Sequence, residues 1–199
     1  MCGYVQVVRL ISAFEVPADA DEAFIAGWEN ARDVATARGG SSVTALHRAL
    51  RGDVEFRFVD VALVESADAW RRAIGDAELP GATMQFKAHS GLYEVVHEDG
   101  IPESPGGVIL INPFEVPPSD DERFLTGWER VREMLATQRR YLGTRLHRSL
   151  AAARFRYVNI ARWSSPLAFS RAVQRPEFQQ AAAAAMTFPS HPALYQVVR

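Results

Sequence analysis

INPFEVP, residues 111–117, has a near copy one hundred positions upstream, ISAFEVP, residues 11–17. The two differ only where Ser12 faces Asn112 and Ala13 faces Pro113. The likeness continues in constant order. EAFIAGWENAR (22–32) answers ERFLTGWERVR (122–132), and TALHRAL (44–50) answers TRLHRSL (144–150). EFRFVDVALVES (55–66) answers RFRYVNIARWSS (154–165) with one residue lost between, and HSGLYEVV (89–96) answers HPALYQVV (191–198). Ordered matches over nearly the whole chain mark an internal duplication. The expected division is a first repeat at 1–96, a linker at 97–107 and a second repeat at 108–199. HEDGIPESPGG (97–107) is rich in Gly, Pro and acidic residues, the composition of an exposed connection.

Each copy reads as strand, helix, strand, strand, helix, strand. VILINPFEV carries apolar residues on both faces, as a buried strand does. SDDE follows, and Ser119 with Glu122 predicts a capping box. Phe124, Trp128, Val131 and Leu135 then recur at i, i+4, i+7 and i+11, one face of a helix. YLGTRLHRSL and RFRYVNIARW read as an antiparallel pair. Pro166 suits a helix's first turn, Pro176 ends that helix, EFQQAAAAAM begins another, and ALYQVVR closes the copy as a strand. This order predicts an α+β, ferredoxin-like unit whose bare sheet face needs a cover. A second copy in the same chain can supply it. The expected fold is therefore tandem ferredoxin-like repeats forming an intramolecular, dimeric-type α/β barrel.

Composition narrows the function classes. The 199 residues are 48% hydrophobic and 23% charged, a balance that buries a core. No apolar run approaches the ~20 residues of a membrane span, and the amino terminus lacks a signal-peptide pattern. Cys2 is the one cysteine, so no internal disulfide or cysteine-built metal cluster can form. A cytoplasmic location, no membrane and no metal are expected. The net charge of −2 argues against nucleic acid as a partner. The halves differ in sign, however. Residues 1–99 hold 9 Lys and Arg against 16 Asp and Glu, and residues 100–199 hold 13 against 8. The basic second half can attract an acidic or phenolic ligand, the opposite fields can favour docking of the halves, or the difference is one of solvated surfaces.

FRYVNIARWSSPLAF, LHRSL, PEFQQ and PALYQVVR resemble the antibiotic biosynthesis monooxygenase family in its tandem form. The resemblance covers essentially all of 108–199, and the first half follows the pattern more loosely. It implies the dimeric α/β barrel, with a pocket between each sheet and its helices. It also implies a cofactor-free oxygenase acting on an aromatic polyketide with O2, turning an anthrone or naphthacenone ring into a quinone. The family pattern has an asparagine on the first strand and Asn-x-x-x-Trp along the third, which here are Asn112, Asn159 and Trp163. These are the expected catalytic residues. The first copy has Ser12, Asp60 and Val64 in their places, while Phe14, Trp28, Phe58 and Tyr93 keep the scaffold.

The chemistry suits those residue types. Triplet oxygen reacts with a closed-shell ring only when the ring is electron-rich, as an anthrone enolate is. Amide donors stabilise such an oxyanion without protonating it. Trp163 offers a flat face and an indole N–H. Asp60 would repel an anion, so the first-copy pocket is expected to lack this activity.

The expected substrate contacts are His147, Tyr157, Phe169, Trp128 and Gln179. His147 matches a histidine of some relatives, although its twin His47 points equally to a structural role. Trp128 has a twin in Trp28 and reads equally as core. Phe169 stands where some relatives have tyrosine, and Gln179 falls near a family arginine. No dinucleotide fingerprint, P-loop or zinc-protease motif is present. An iron ligand is missing where haem-degrading relatives carry one. Two other readings stay open: ring-opening oxygenation supported by reduced flavin, and a non-catalytic polyketide-binding protein. A further homodimer is compatible with all three.

Overall fold

A computed structural model describes residues 8–37, 43–66, 68, 85–100, 107–185 and 187–199. Its strands are β1 (Val8–Glu15), β2 (Val43–Ala49), β3 (Phe58–Val64), β4 (Lys87–Gly100), β5 (Val108–Phe114), β6 (Tyr141–Ser149), β7 (Tyr157–Trp163) and β8 (Ala193–Val197). The helices are α1 (Asp21–Ala37), α2 (Asp121–Ala136), α3 (Pro166–Val173) and α4 (Pro176–Ala185). The strands hydrogen-bond in the order β1-β3-β2-β8-β5-β7-β6-β4, a closed antiparallel barrel, so the class is the α+β one that the duplication predicts. The second helix expected in the first copy falls almost wholly outside the described residues. No helix among those described is long and apolar enough to cross a membrane.

Contacts divide the chain into two units. One comprises Met1–Glu94, Ser149–Ala153 and Val197–Arg199; the other comprises Val95–Arg148 and Arg154–Gln196. In the first unit β1 pairs with β3 and β4, and β3 with β2. The end of the chain joins this unit. Leu46 donates its N–H to the Arg199 carbonyl at 3.0 Å, and Val198 donates to the Leu46 carbonyl at 2.8 Å. In the second unit β5 pairs with β7 and β8, and β7 with β6. This unit includes the end of β4, whose Asp99 carboxylate accepts the Thr144 N–H at 3.0 Å. His97–Gly100, linker-like in composition, thus complete a strand.

The duplication repeats the packing ring for ring. Phe24 stacks on Phe58 at 4.4 Å in the first unit, and Phe124 on Tyr157 at 4.3 Å in the second. Phe14 meets Phe24 edge-on at 4.9 Å, and Phe114 meets Phe124 at 5.0 Å. The predicted face of α2 is the buried one: Phe124, Trp128 and Val131 are buried. Each such side chain contributes about 1.5–3 kcal/mol relative to exposure.

The capping box predicted at Ser119 and Glu122 does not form. Pro118–Asp120 wind into a 3-10 turn, which places Ser119 inside a turn rather than at an extended cap position. Asp120 occupies the cap without a side-chain hydrogen bond. The helix start is held by an ion pair instead: Arg156 donates two hydrogen bonds to Asp121, and Arg57 does the same for Asp21 in the first unit. Carboxylates there also complement the positive end of the helix dipole. At α3 the prediction holds. Pro166 stands in the first turn and Ser165 caps it, its Oγ accepting the Ala168 N–H at 3.1 Å.

Candidate active site

Alternation along β5 and β7 separates two faces, and the packing identifies the one that meets the helices. Phe114 and Tyr157 join Phe124 and Trp128 in one apolar cluster. Leu110, Ala161 and Trp163 join Ala172 of α3 in another. Between the clusters, on the same face, stand Asn112 and Asn159. The register sets them directly opposite one another. The helix-covered face of this sheet is therefore apolar at both ends and polar in the middle.

The polar atoms there are unequally satisfied. Thr144 Oγ1 lies 2.7 Å from Asn159 Oδ1 and donates to it, which leaves the amide N–H2 end as the donor that a ligand can meet. Asn112 Oδ1 is buried and, among the described residues, has no hydrogen-bond partner. Trp163 is fully buried, and its Nε1 likewise has none. Each orphaned group costs about 1–3 kcal/mol. Such a cost is offset when a ligand brings the missing partner. With the Tyr157 hydroxyl, likewise buried and without a hydrogen-bond partner among the described residues, this face offers an acceptor and donors that ask for a ligand carrying both a hydroxyl and an oxygen acceptor.

The remaining predicted residues divide by position. Phe169 meets Trp163 edge-on at 5.6 Å, and Tyr141 meets its ring at 5.5 Å. Trp128 and Tyr157 stand in the cluster beside the asparagines. Burial and the neighbouring Asp121 carboxylate raise the Tyr157 hydroxyl to about 12. His147 is not brought to this face. It pairs in register with Val158, one position off Asn159, and its Nδ1 lies 3.1 Å from the Val158 carbonyl. His47 makes the same contact with Val59 at 3.1 Å. Gln179 is exposed on α4 and donates to the Val173 carbonyl. Gly107 lets the chain pass Trp163: its φ of +79° is left-handed, and a Cβ would collide with the Trp163 carbonyl oxygen.

Residues 107–184 match the family described as antibiotic biosynthesis monooxygenase. That segment makes up most of the second copy, which is what resembles the antibiotic biosynthesis monooxygenase family. The match supports an oxidoreductase of the monooxygenase class. No curated protein matches the chain. Among solved structures, an anthrone oxidase-like protein superposes with a TM-score of 0.74 at 14% identity, over 98% of this chain and 92% of that one. A candidate monooxygenase from Shewanella loihica is 38% identical over 47% of this chain and 96% of its own, with a TM-score of 0.42. A regulator of staphylococcal pathogenesis has a TM-score of 0.53 at 11% identity, over 96% and 99%. The first and last of these show the fold alone, and their differing descriptions illustrate how one fold carries several functions.

The first unit repeats the frame with different polar groups. Ser12 stands opposite Asp60, and Thr44 donates to Asp60 as Thr144 does to Asn159. Burial pushes the Asp60 carboxyl up to about 6, although bonds from Thr44, Trp28 and the Val61 N–H work against the shift. Among the described residues, no group of three or more His, Cys, Asp or Glu side chains could hold a metal ion.

Asp99, unmarked in the sequence, organises the second site from behind. Its Oδ1 accepts the Tyr141 hydroxyl at 2.7 Å and the Thr144 N–H at 3.0 Å, and its Oδ2 accepts Arg132 at 2.8 Å. One carboxylate thus holds both the ring beside Trp163 and the residue that orients Asn159. Burial works to raise its pKa, but the three donors together hold the carboxyl below its ordinary value. Its stabilisation is therefore present above the ordinary carboxylate range and lost as pH falls through the lowered folded value. Asp99→Asn is expected to cost about 1–3 kcal/mol at neutral pH, read from the urea midpoint. The deficit should shrink on acidification. An unchanged midpoint would remove Asp99 from the frame of the site.

Proposed function

We propose that the second unit is a cofactor-independent monooxygenase that oxidises an anthrone- or naphthacenone-type aromatic polyketide to a quinone with O2. The observation that carries this reading is the pair of buried, unpartnered polar atoms, Asn112 Oδ1 and Trp163 Nε1, on the face that also presents the Asn159 amide. The reading is also supported by the fold, which a solved anthrone oxidase-like protein shares.

In the proposed reaction the enolate of the anthrone is the electron donor. The Asn159 amide N–H2 stabilises its oxyanion without returning the proton, since a neutral amide is no acid. Asn112 Oδ1 accepts a hydrogen bond from a phenolic hydroxyl and fixes the ring. Trp163 Nε1–H is the donor for the oxygen adduct formed at the ring carbon. Loss of water from that adduct leaves the carbonyl: one oxygen atom of O2 enters the quinone and the other leaves as water. Both asparagines are half-buried, which leaves them within a ligand's reach.

Oxygen uptake with an anthrone separates this from the other readings. The expected result is protein-dependent uptake with one quinone formed per O2, unchanged by added reduced flavin. Dependence on reduced flavin would favour a flavin-assisted oxygenase. Binding without uptake would favour a non-catalytic polyketide-binding protein.

A further inference from the structure

An open cleft of about 810 Å³ reaches Trp163 between the turn after α2 and the start of α3. Arg139 and Arg140 line it from the turn, Arg171 from α3, and Ser164 and Ser165 from the segment between β7 and α3. Neither Asn112 nor Asn159 is on its wall. Arg175 also lines it and stands 3.6 Å from Glu177. Among the described residues no carboxylate lines the cleft. Arg139, Arg140 and Arg171 have no salt-bridge partner among those residues. The Ser164 N–H donates to the Arg140 carbonyl at 3.0 Å, which ties the turn to the far wall.

We infer that this cleft is a binding site for the carboxylate or phosphate of a planar aromatic ligand whose ring system extends to Trp163. Guanidinium groups suit this task because each presents paired N–H donors that match the two oxygens of such an anion. Several like charges on one concave wall also reinforce one another's field and draw the anion in. Trp163 stands at the inner end of this cleft, fully buried, and its Nε1 has no acceptor among the described residues.

The sequence supports the assignment. Arg139 and Arg140 stand one hundred positions from Gly39 and Gly40, so the first copy has glycines where the second has charges. Arg139 and Arg140 thus follow the same division as Asn112, Asn159 and Trp163, whereas Arg171 has a counterpart in Arg72 of the first copy. In identifying the aromatic portion with the oxidised substrate, the inference rests on the function proposed above. The binding of an anion does not.

The test measures equilibrium binding without turnover, in two matched pairs. Anthraquinone-2-carboxylate is compared with its uncharged carboxamide, and flavin mononucleotide with riboflavin. The expected result is that the charged member of at least one pair binds about tenfold tighter or more, as charge-assisted hydrogen bonds imply. The advantage should shrink with added salt. It should vanish in Arg140→Gln/Arg171→Gln, whose side chains are exposed and whose fold should survive. A gap in the first pair assigns the anion to the substrate's own carboxylate; a gap in the second assigns it to a phosphate. Trp163→Phe should leave the gap between pair members intact. Equal binding within both pairs, or a gap that survives the double substitution, would overturn the inference. Oxygen uptake measured separately keeps the two failures apart: absent uptake with a persistent charge-dependent gap defeats the oxygenase and not the anion site.

Discussion

Asn159→Asp is expected to lower turnover by about 10²–10³, the usual cost of losing one donor to a developing oxyanion. The replacement keeps the shape of the side chain, and Thr144 can still donate to it as Thr44 does to Asp60. What changes is the other end. An N–H2 donor becomes an oxygen, and a carboxylate there repels the enolate it should hold. The rate should fall while the unfolding midpoint at acidic pH stays near wild type. Asn159→Ala should match the loss in rate, and Trp163→Phe should lower turnover while keeping an aromatic ring. Turnover within threefold of wild type in Asn159→Asp would remove this amide from the chemistry.

The mirror substitution should act on stability instead. Asp60 is buried, and its folded pKa of about 6 lies well above the ordinary 3.8. The fold therefore favours the neutral acid. Below about pH 4 the group is neutral in both states and carries no penalty. As pH rises the unfolded chain ionises first, and stability falls until the folded carboxyl has also ionised, above about pH 6. The difference amounts to at most about 3 kcal/mol at neutral pH. Asp60→Asn should recover much of it, since the second unit accommodates Asn159 in the equivalent place. Urea midpoints of the two proteins should converge near pH 4 and separate by pH 7, with the variant the more stable. Oxygen uptake should be nearly unchanged. A variant less stable than wild type at pH 7 would mean that Asp60 is held ionised by partners stronger than Thr44 and Trp28.

These two substitutions occupy one position written twice, which explains why much of the fold was legible in the sequence. Order and type of the elements followed from two aligned copies, because a residue kept in both copies is most simply scaffold. Phe24 and Phe124, with their matching stacks, are of that kind. The asparagine pair was legible for the opposite reason: it changed while its apolar neighbours did not. What stayed hidden depends on contacts across strands. Nothing local marks Asp99 as a partner of Thr144, forty-five positions away, because that bond exists only once β4 runs alongside β6. Its stretch carries Gly, Pro and acid residues, so its composition suggests a connection while its backbone continues a strand. The capping box failed on a similarly local point, since Pro118 starts a 3-10 turn that absorbs Ser119. His147 shows the parity problem. A histidine beside the right strand falls on the wrong face when the register is one position off.

The most direct test of the account is oxygen labelling in a single reaction. Protein freed of metal and flavin is given an anthrone under ¹⁸O2, and the quinone is examined by mass spectrometry against a protein-free control, since anthrones also oxidise unaided. The account predicts one labelled oxygen per quinone, formed faster than in the control, with the rate retained in Asp60→Asn and lost in Asn159→Asp. Labelled quinone forming no faster than in the control, or equally fast with Asn159→Asp, would contradict it.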